Sequence, residues 1–413
     1  MTFAELVEAY FHCRQNKRYT NEALAFEVDC ERNLEKLYEE LSTGTYEIGS
    51  SKVFIVDKPV KREIFAAAFR DRILHHWLYM KLNPLFEREF IHDTYGCRKG
   101  RGTLFGIGRV KRFIARCSKG YTEDCYILRC DIRGFFMNID RNILAVKLDD
   151  FIRRKYQGED MELVRRLARQ VVMVNPVEGC SVNSRRTKWN GLPRDKSIFT
   201  TNGYTMPNGM RSLFDEENRE KGIPIGNLTS QMFANFYLNG LDHFVKHTLG
   251  VKYYGRYMDD FVMVHPSKEF LQEVKRKCAE YLERELMAQL HPNKVYLQHY
   301  SKGVEFVGAH IRYGGVFPGK KIKSNTWLTI NRYNELARER RLRPEEMLSF
   351  QQSMNSYLGI MIHYNSYKVR KKMLGKVSGW IANDIKYAGY NKVIWTKKVK
   401  KKPVLWDPYG IFT

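Results

Sequence analysis

The chain has 413 residues, 43% hydrophobic and 13% aromatic, with 70 Lys and Arg against 46 acidic residues. That is enough apolar material for two or three packed subdomains, and it excludes a globally disordered chain. A net charge of +24 implies a polyanionic partner, most often nucleic acid and sometimes a membrane surface.

No apolar run approaches the roughly 18–20 residues of a membrane span, so no membrane partner is expected. The start, MTFAELVEAYFHCR, has no basic first region and is interrupted by acids and a histidine, unlike a secretory leader. Eight cysteines (Cys13, Cys30, Cys97, Cys117, Cys125, Cys130, Cys180, Cys278) show neither CxxC nor Cys/His ligand spacing. This predicts reduced thiols in a cytoplasm, not a disulfide frame or a zinc site.

In chain order, residues 1–45 have helical periodicity through Phe26, Leu34, Leu37, Tyr38 and Leu41, closing at Thr43-Gly44-Thr45. Lys52–Val56 and Arg62–Phe65 read as two strands turning at Asp57-Lys58-Pro59. That basic hairpin either folds over a phosphate-bearing substrate or is a solvated edge. Arg70-Asp71-Arg72 opens a helix through Leu74, Trp77, Leu78 and Leu82 that is predicted to stop at Pro84. Tyr95–Thr103, YGCRKGRGT, combines three glycines with Arg98, Lys99 and Arg101. It has no P-loop spacing and suits a nucleic-acid backbone. Lys111, Arg112, Arg116 and Lys119 extend the basic face on a predicted helix.

Tyr126–Cys130 is a short buried-type strand delivering Asp131, which by itself would read as a helix N-cap. A helical pattern covers Arg141 to about Val174. Residues 175–222 are rich in Asn, Gly, Ser, Thr and Arg and read as loops and small strands, a partner or RNA contact. Gly222–Ser230 turns into a Thr/Ser-capped helix with Phe233, Phe236, Tyr237, Leu241 and Phe244 on one face.

Val251–His265, VKYYGRYMDDFVMVH, is two β-rich runs around an acidic tip, a tight hairpin carrying Asp259 and Asp260. Adjacent aspartates repel, and a divalent cation is the usual remedy; a lone YxDD is otherwise a solvated turn. Lys268–Gln289 is an amphipathic helix, followed by the turn Leu290–Lys294 and a strand at Val304–Gly308. Trp327–Asp384 reads as three helices broken at Arg343-Pro344 and near Asn365-Ser366, with Tyr357, Leu358 and Trp380 as packing residues. Lys368, Arg370, Lys371 and Lys372 form a basic stripe, and the tail KKVKKKPVLW is a charge run.

Asp131, Asp259 and Asp260 together supply what a two-metal phosphoryl-transfer site requires. One ion would activate a primer 3′-hydroxyl and the other would hold the triphosphate, which points to a nucleotidyl-transferring polymerase.

The ordered series KREI, RDRILHHW, YGCRKGRGT, DIRGFF, GIPIGNLTSQ, YMDD, HPNK and KGVEFVGAHI resembles a bacterial reverse transcriptase over residues from about 45 to 320. NSYLGIMIHYNSYKVRKKM resembles the helical thumb of the same family. The resemblance implies an α+β right-hand polymerase fold. An N-terminal helical extension would cover 1–45, fingers 46–125, and a palm of antiparallel sheet plus helices 126–318, interrupted by an insertion at about 175–222. A helical thumb would cover 324–390 and a basic tail 391–413.

GIPIGNLTSQ most resembles the enzymes of diversity-generating retroelements. Ile225 stands where most reverse transcriptases have Gln, and Gln231 where most have Pro. That branch misincorporates opposite template adenines. A Gln amide hydrogen-bonds the nascent pair or its sugar, whereas Ile offers only shape, so discrimination falls. The alternative is that Ile225 simply packs under the turn.

The resemblance further implies that Asp131, Asp259, Asp260 and the Ile132 carbonyl hold two magnesium ions, with manganese a substitute. Lys294 would be the general acid toward pyrophosphate. Phe136 would be the gate against a ribose 2′-hydroxyl, with core packing its other reading. Arg62 would contact the triphosphate. Ile225, Gly226, Gln231, Tyr257 and Met258 would complete the substrate site, Tyr257 at the primer end. Arg98, Lys99, Arg101, Lys368, Arg370, Lys371 and Lys372 would bind nucleic acid. The implied partners are an RNA template, a DNA or RNA primer, dNTPs and a small basic pentameric accessory protein, in a bacterial cytoplasm. Two other readings stay open: a phage-defence or abortive-infection reverse transcriptase, and a non-catalytic RNA-binding scaffold with a polymerase fold.

Overall fold

Thr2 accepts from the Glu5 amide and Glu5 returns the bond to the Thr2 amide, a capping box that starts helix α1 (Phe3–Arg14). The computed structural model describes residues 1–15, 17–57, 60–210 and 220–396. The turn residues Lys58 and Pro59, part of the 175–222 stretch and the basic tail from 397 lie outside the described residues. The chain divides into two compact units, one of Met1–Arg109 and Arg116–Gln298, the other of Val110–Ala115 and His299 onward.

In the first unit α1 is followed by α2 (Asn21–Glu27) and α3 (Cys30–Thr43), which ends at Gly44 in the left-handed region, φ 82°. Strands β1 (Lys52–Val56) and β2 (Arg62–Ala66) pair antiparallel, Val56 opposite Arg62. Helix α4 (Phe69–Glu89) then runs straight through Pro84, contrary to the predicted stop. Leu82 and Phe86, on either side, are fully buried, and that packing outweighs one lost backbone bond. Leu6, Ala9 and Tyr10 of α1 share this core with Trp77 and Leu78 of α4.

Further along come α5 (Thr103–Cys117), β3 (Tyr126–Asp131), the short α6 (Phe135–Asn138), α7 (Arg141–Lys155) and α8 (Met161–Met173). Next are β4 (Ser181–Val182), parallel to β1, and α9 (Ile198–Thr201). Helix α10 (Leu228–Tyr237) is N-capped by Asn227 and not by Thr or Ser, and the Asn227 side chain accepts instead from the Ala67 amide at 3.3 Å. The predicted single apolar face breaks at Leu238, where α11 (Asn239–His243) begins. Strands β5 (Tyr253–Tyr257) and β6 (Asp260–His265) follow, then α12 (Lys268–Leu286), which Ser267 caps at the Phe270 amide, and β7 (Tyr296–His299). The main sheet has the order β5-β6-β3-β7, with β5/β6 and β6/β3 antiparallel. Helix α12 packs on β6 and β3. The architecture is α+β, an antiparallel sheet backed by helices.

The stretch 175–222 acquires a structural role. Trp189, Leu192, Ile198 and Phe199 form a small core with Val53, Ile55 and Phe65 of the β1/β2 hairpin. Glu63 on β2, fully buried, accepts from Trp189 Nε1 at 2.9 Å, Ser197 Oγ at 2.5 Å and the Ile198 amide at 2.9 Å. Burial raises its pKa even though these three donors pull it down. Glu63→Ala strands three buried donors and is expected to destabilise the protein by roughly 2–4 kcal/mol. Glu63→Gln, which keeps an acceptor, should lose about half of that; thermal melts compare the two.

In the second unit β8 (Val304–Phe306), β9 (Ala309–Arg312) and β10 (Gly315–Pro318) form an antiparallel sheet, so these residues group with the helices that follow. Helix α13 (Lys320–Glu339) starts seven residues before the expected Trp327. It is followed by α14 (Pro344–Met361) with Pro344 in its first turn, α15 (Tyr367–Leu374) and the short α16 (Gly379–Ala382). A hairpin of β11 (Ile385–Ala388) and β12 (Lys392–Trp395) closes the unit, where helix and then tail were expected. Leu358 packs as predicted, but Trp380 does not: it is 76% exposed. No helix among the described residues is long and apolar enough to cross a membrane.

Candidate active site

Strand β3 is apolar at Ile127, Leu128 and Cys130 because both of its faces are covered, and it delivers Asp131 at its end. The β3/β6 register sets Asp131 opposite Asp260, and the β5/β6 register sets Tyr257 opposite Asp260, which leaves Met258 and Asp259 as a two-residue turn. Met258 adopts φ 54°, a left-handed state costing a non-glycine residue about 1–3 kcal/mol. Three contacts hold it there. Arg256 Nη1 donates to the Met258 carbonyl at 3.0 Å, and the Ile132 amide donates to the Asp259 carbonyl at 3.1 Å. Gly96 lies against the turn so closely that a Cβ there would come within 2.6 Å of Met258 Sδ.

Beneath the turn lies a polar cluster with no exposed side chain. Asp242 accepts from Arg256 Nε at 2.7 Å and Nη2 at 2.6 Å, Tyr254 Oη at 2.5 Å and Thr94 Oγ1 at 2.9 Å. Arg256 also donates to Asn235 Oδ1 at 3.0 Å. The glycine-rich motif belongs to the same assembly: the Tyr95 amide donates to the Arg256 carbonyl at 2.8 Å, and Asn235 Nδ2 to the Gly96 carbonyl at 2.8 Å.

Asp260 accepts two hydrogen bonds from Arg129, at 2.8 and 2.7 Å. Asp131 accepts from Lys294 Nζ at 2.9 Å. The turn bearing Lys294 is stitched to the strand end, with the His291 amide donating to the Asp131 carbonyl at 2.7 Å. Burial, then the charge on Asp131, pushes the Asp259 carboxyl up to about 6. Burial also pushes Asp260 up to about 6, with Arg129 opposing it. Asp259 and Asp260 are each raised by burial and by the charge on Asp131, a conflict that a hard divalent cation would relieve. Among the described residues, however, no three acidic, His or Cys side chains converge on one ion position. The physical reason is that Asp131 and Asp260 are turned to cations of the chain itself. Lys294 makes one bond and is half-exposed, so Asp131 is readily released; Asp260 is tied by two.

Arg62 is half-exposed on β2, on the face opposite Glu63. The Phe65 amide donates to the Ile225 carbonyl at 3.0 Å, and the Ile225 side chain is half-buried against the hairpin core. Gly226 has φ 132°, and a Cβ there would lie 2.9 Å from the Phe65 carbonyl, so only glycine fits. Phe136 is half-buried, packs on Phe135 and is pinned by the Ile223 amide, which donates to its carbonyl at 2.9 Å. Gln231 is exposed at the start of α10, where its Oε1 accepts from Cys97 Sγ at 3.3 Å. Tyr257 is half-buried beside the turn and Met258 is buried in it.

Among the basic residues two expectations are corrected. Arg98 is buried and its guanidinium is committed to Glu87 at 2.9 Å and to the carbonyls of Ile91 and Thr94. Arg370 is buried and donates to Ser366 Oγ and the Tyr390 carbonyl. Both are thus buried and paired within the chain, not presented on its surface. Lys99, Lys368, Lys371 and Lys372 are exposed, while Arg101 is bonded to the His92 carbonyl. Sequence reasoning missed Arg129, Asp242, Arg256, Glu63 and Cys97. The one available signal was a charged residue inside an otherwise apolar strand, as at Arg129 and Arg256.

Residues 196–311 match the family model described as reverse transcriptase (RNA-dependent DNA polymerase). The chain is 25% identical over 293 residues to Protein YkfC of Escherichia coli strain K12, covering 68% of this chain and 73% of that protein. Among solved structures, apo telomerase from Candida tropicalis aligns at 13% identity and TM-score 0.45, over 85% of this chain and 61% of that one. The form of it truncated from the C-terminal domain aligns at 14% identity and TM-score 0.44, over 65% and 55%. This chain thus spans less than two thirds of those telomerase chains. The Asp259-Asp260 turn and Lys294 lie inside the residues matched to the reverse transcriptase family, and the enzyme class which that match supports is RNA-directed DNA polymerase.

Proposed function

We propose that this chain copies an RNA template into DNA as the reverse transcriptase of a diversity-generating retroelement, with errors concentrated at template adenines. The observation that carries the finer reading is Ile225. An aliphatic side chain, half-buried, sits on a backbone fixed by the Phe65 amide at the position where the resembling families otherwise have Gln. No amide is present there to test the geometry of the nascent pair.

In this reading Asp131, Asp259 and Asp260, with the Ile132 carbonyl, would hold the divalent cations, magnesium in the cell, and Asp260 would exchange its bonds from Arg129 to do so. Two such ions, when bound, supply Lewis-acid activation of the 3′-hydroxyl and neutralise charge on the triphosphate. Arg62 binds the triphosphate from the hairpin, and Phe136 excludes a ribose 2′-hydroxyl. The primer 3′-oxygen attacks the α-phosphorus, and Lys294, leaving Asp131, gives its proton to the departing pyrophosphate. The exposed lysines Lys99, Lys368, Lys371 and Lys372 contact template and primer backbone. A small basic pentameric protein is the accessory partner.

The test is DNA synthesis on a primed RNA template with magnesium and four dNTPs, with the products sequenced. Errors should cluster at template adenines, and Ile225→Gln should lower that error rate by about two- to tenfold, the worth of one hydrogen bond. Faithful product from the unaltered chain would remove the retroelement reading and leave another bacterial reverse-transcriptase role, phage defence among them.

A further inference from the structure

Trp380 is a large apolar side chain left 76% exposed, whereas Trp77 and Trp189 are fully buried. Its backbone is anchored to α13. Ser378 Oγ accepts from the Trp380 amide at 3.3 Å, and the Ser378 amide in turn donates to Asn334 Oδ1 at 2.8 Å on α13. The indole borders a cleft of about 430 Å³ within the second unit, which Ala337 and Met347 floor with buried apolar surface.

Arginines line the same cleft. Arg340 is fixed by two bonds to Glu346, at 2.9 and 2.7 Å. Arg341 reaches Asp384 only at 3.5 Å, a loose contact that an anion would replace. Arg338 is exposed and has no ion-pair partner among the described residues. The cleft therefore offers one aromatic face, the exposed guanidinium of Arg338 and that of Arg341 beside the Asp384 carboxylate, over an apolar floor, with exposed Asn383 at the rim able to pair with a base edge.

We propose that this cleft binds one unpaired nucleotide, its base stacked on Trp380 and its phosphate held by Arg338 and Arg341. The volume is in the range of small-ligand sites. Stacking on an exposed aromatic beside arginine is the mode by which proteins hold unpaired bases. The charge decides against a basic protein partner, because the cationic rim repels it. The ligand is either a free nucleotide or a nucleotide within a single-stranded segment. The assignment does not depend on the polymerase reading.

The chain has six tryptophans, so an indole ¹⁵N–¹H spectrum has one signal for each, and Trp380→Phe identifies the relevant one. The full chain is titrated with AMP and, separately, with a short oligoadenylate RNA. The Trp380 signal should move while those of Trp77 and Trp189 stay put. Movement with AMP identifies the free nucleotide as sufficient; movement with the oligonucleotide alone identifies a single strand. Trp380→Ala should weaken binding of the moving probe by about tenfold or more. Arg338→Gln with Arg341→Gln should weaken it and flatten its salt dependence. Since all three side chains are exposed, an unchanged melting temperature shows that the fold persists. A Trp380 signal that neither probe moves overturns the proposal.

Discussion

Asp259→Asn is expected to stabilise the metal-free protein while lowering DNA synthesis by about three orders of magnitude or more, the scale of losing several kcal/mol of metal-ion catalysis. The Asp259 carboxyl is raised to about 6 in the fold by burial and by the charge on Asp131, against about 3.9 in an unfolded chain. The folded state therefore binds the proton more tightly. This favours folding fully below about pH 4 and is lost as pH rises through about 6. Near neutral pH the ionised, crowded carboxylate is a net burden of roughly 1–3 kcal/mol, and the uncharged Asn amide does not carry it. Thermal melts in chelator should place the variant a few degrees above the parent at about pH 7.5, with the gap closing near about pH 5. Magnesium should raise the parent's melting temperature and move the variant's less. A variant that melts below the parent in chelator at neutral pH would show that the carboxylates are not in conflict, and the metal argument would lose its physical basis.

Asp242→Ala is expected to destabilise the protein by about 3–5 kcal/mol, the range for removing one partner of a buried ion pair. Both Asp242 and Arg256 have no exposed side-chain surface, so truncation leaves a guanidinium without counter-charge and Tyr254 and Thr94 without an acceptor. The same change frees Arg256, whose Nη1 holds the Met258 carbonyl and thus the strained turn carrying Asp259. Asp242→Leu combined with Arg256→Met separates the two effects. Replacing a buried pair by apolar residues of similar volume is often neutral for stability, so melting should recover in part, with Tyr254 and Thr94 still lacking their acceptor. Synthesis should stay low, because the turn still lacks its donor. Activity returning together with stability would show that Arg256 only fills the core and does not position the turn.

The Asp259-Asp260 hairpin and the strand ending at Asp131 were legible because short β-prone apolar runs ending at acidic residues are a local signal along the chain. The Asp131–Asp260 pairing then follows from antiparallel register. Gly44 as a helix stop was legible for the same reason: left-handed backbone favours glycine.

The counter-ions were not legible. Arg129 and Asp260 are 131 residues apart, and Glu63 lies 126 residues from Trp189. A charged side chain carries no periodic signature of which partner its burial requires. Arg98 and Arg370 read as phosphate contacts because their neighbours are basic, and only the fold shows them buried and bonded to groups of the chain itself. Pro84 read as a helix stop from local propensity, which weighs less than the packing of Leu82 and Phe86 around it. Trp380 read as core, since burial is the usual fate of an indole, yet its short helix leaves it facing solvent. By itself, then, the sequence determined the β-pattern, the acidic turn and the net charge, which are set by neighbours along the chain. The tertiary structure alone decided which charges neutralise one another and which remain available, because desolvation and pairing depend on distances between segments remote in sequence.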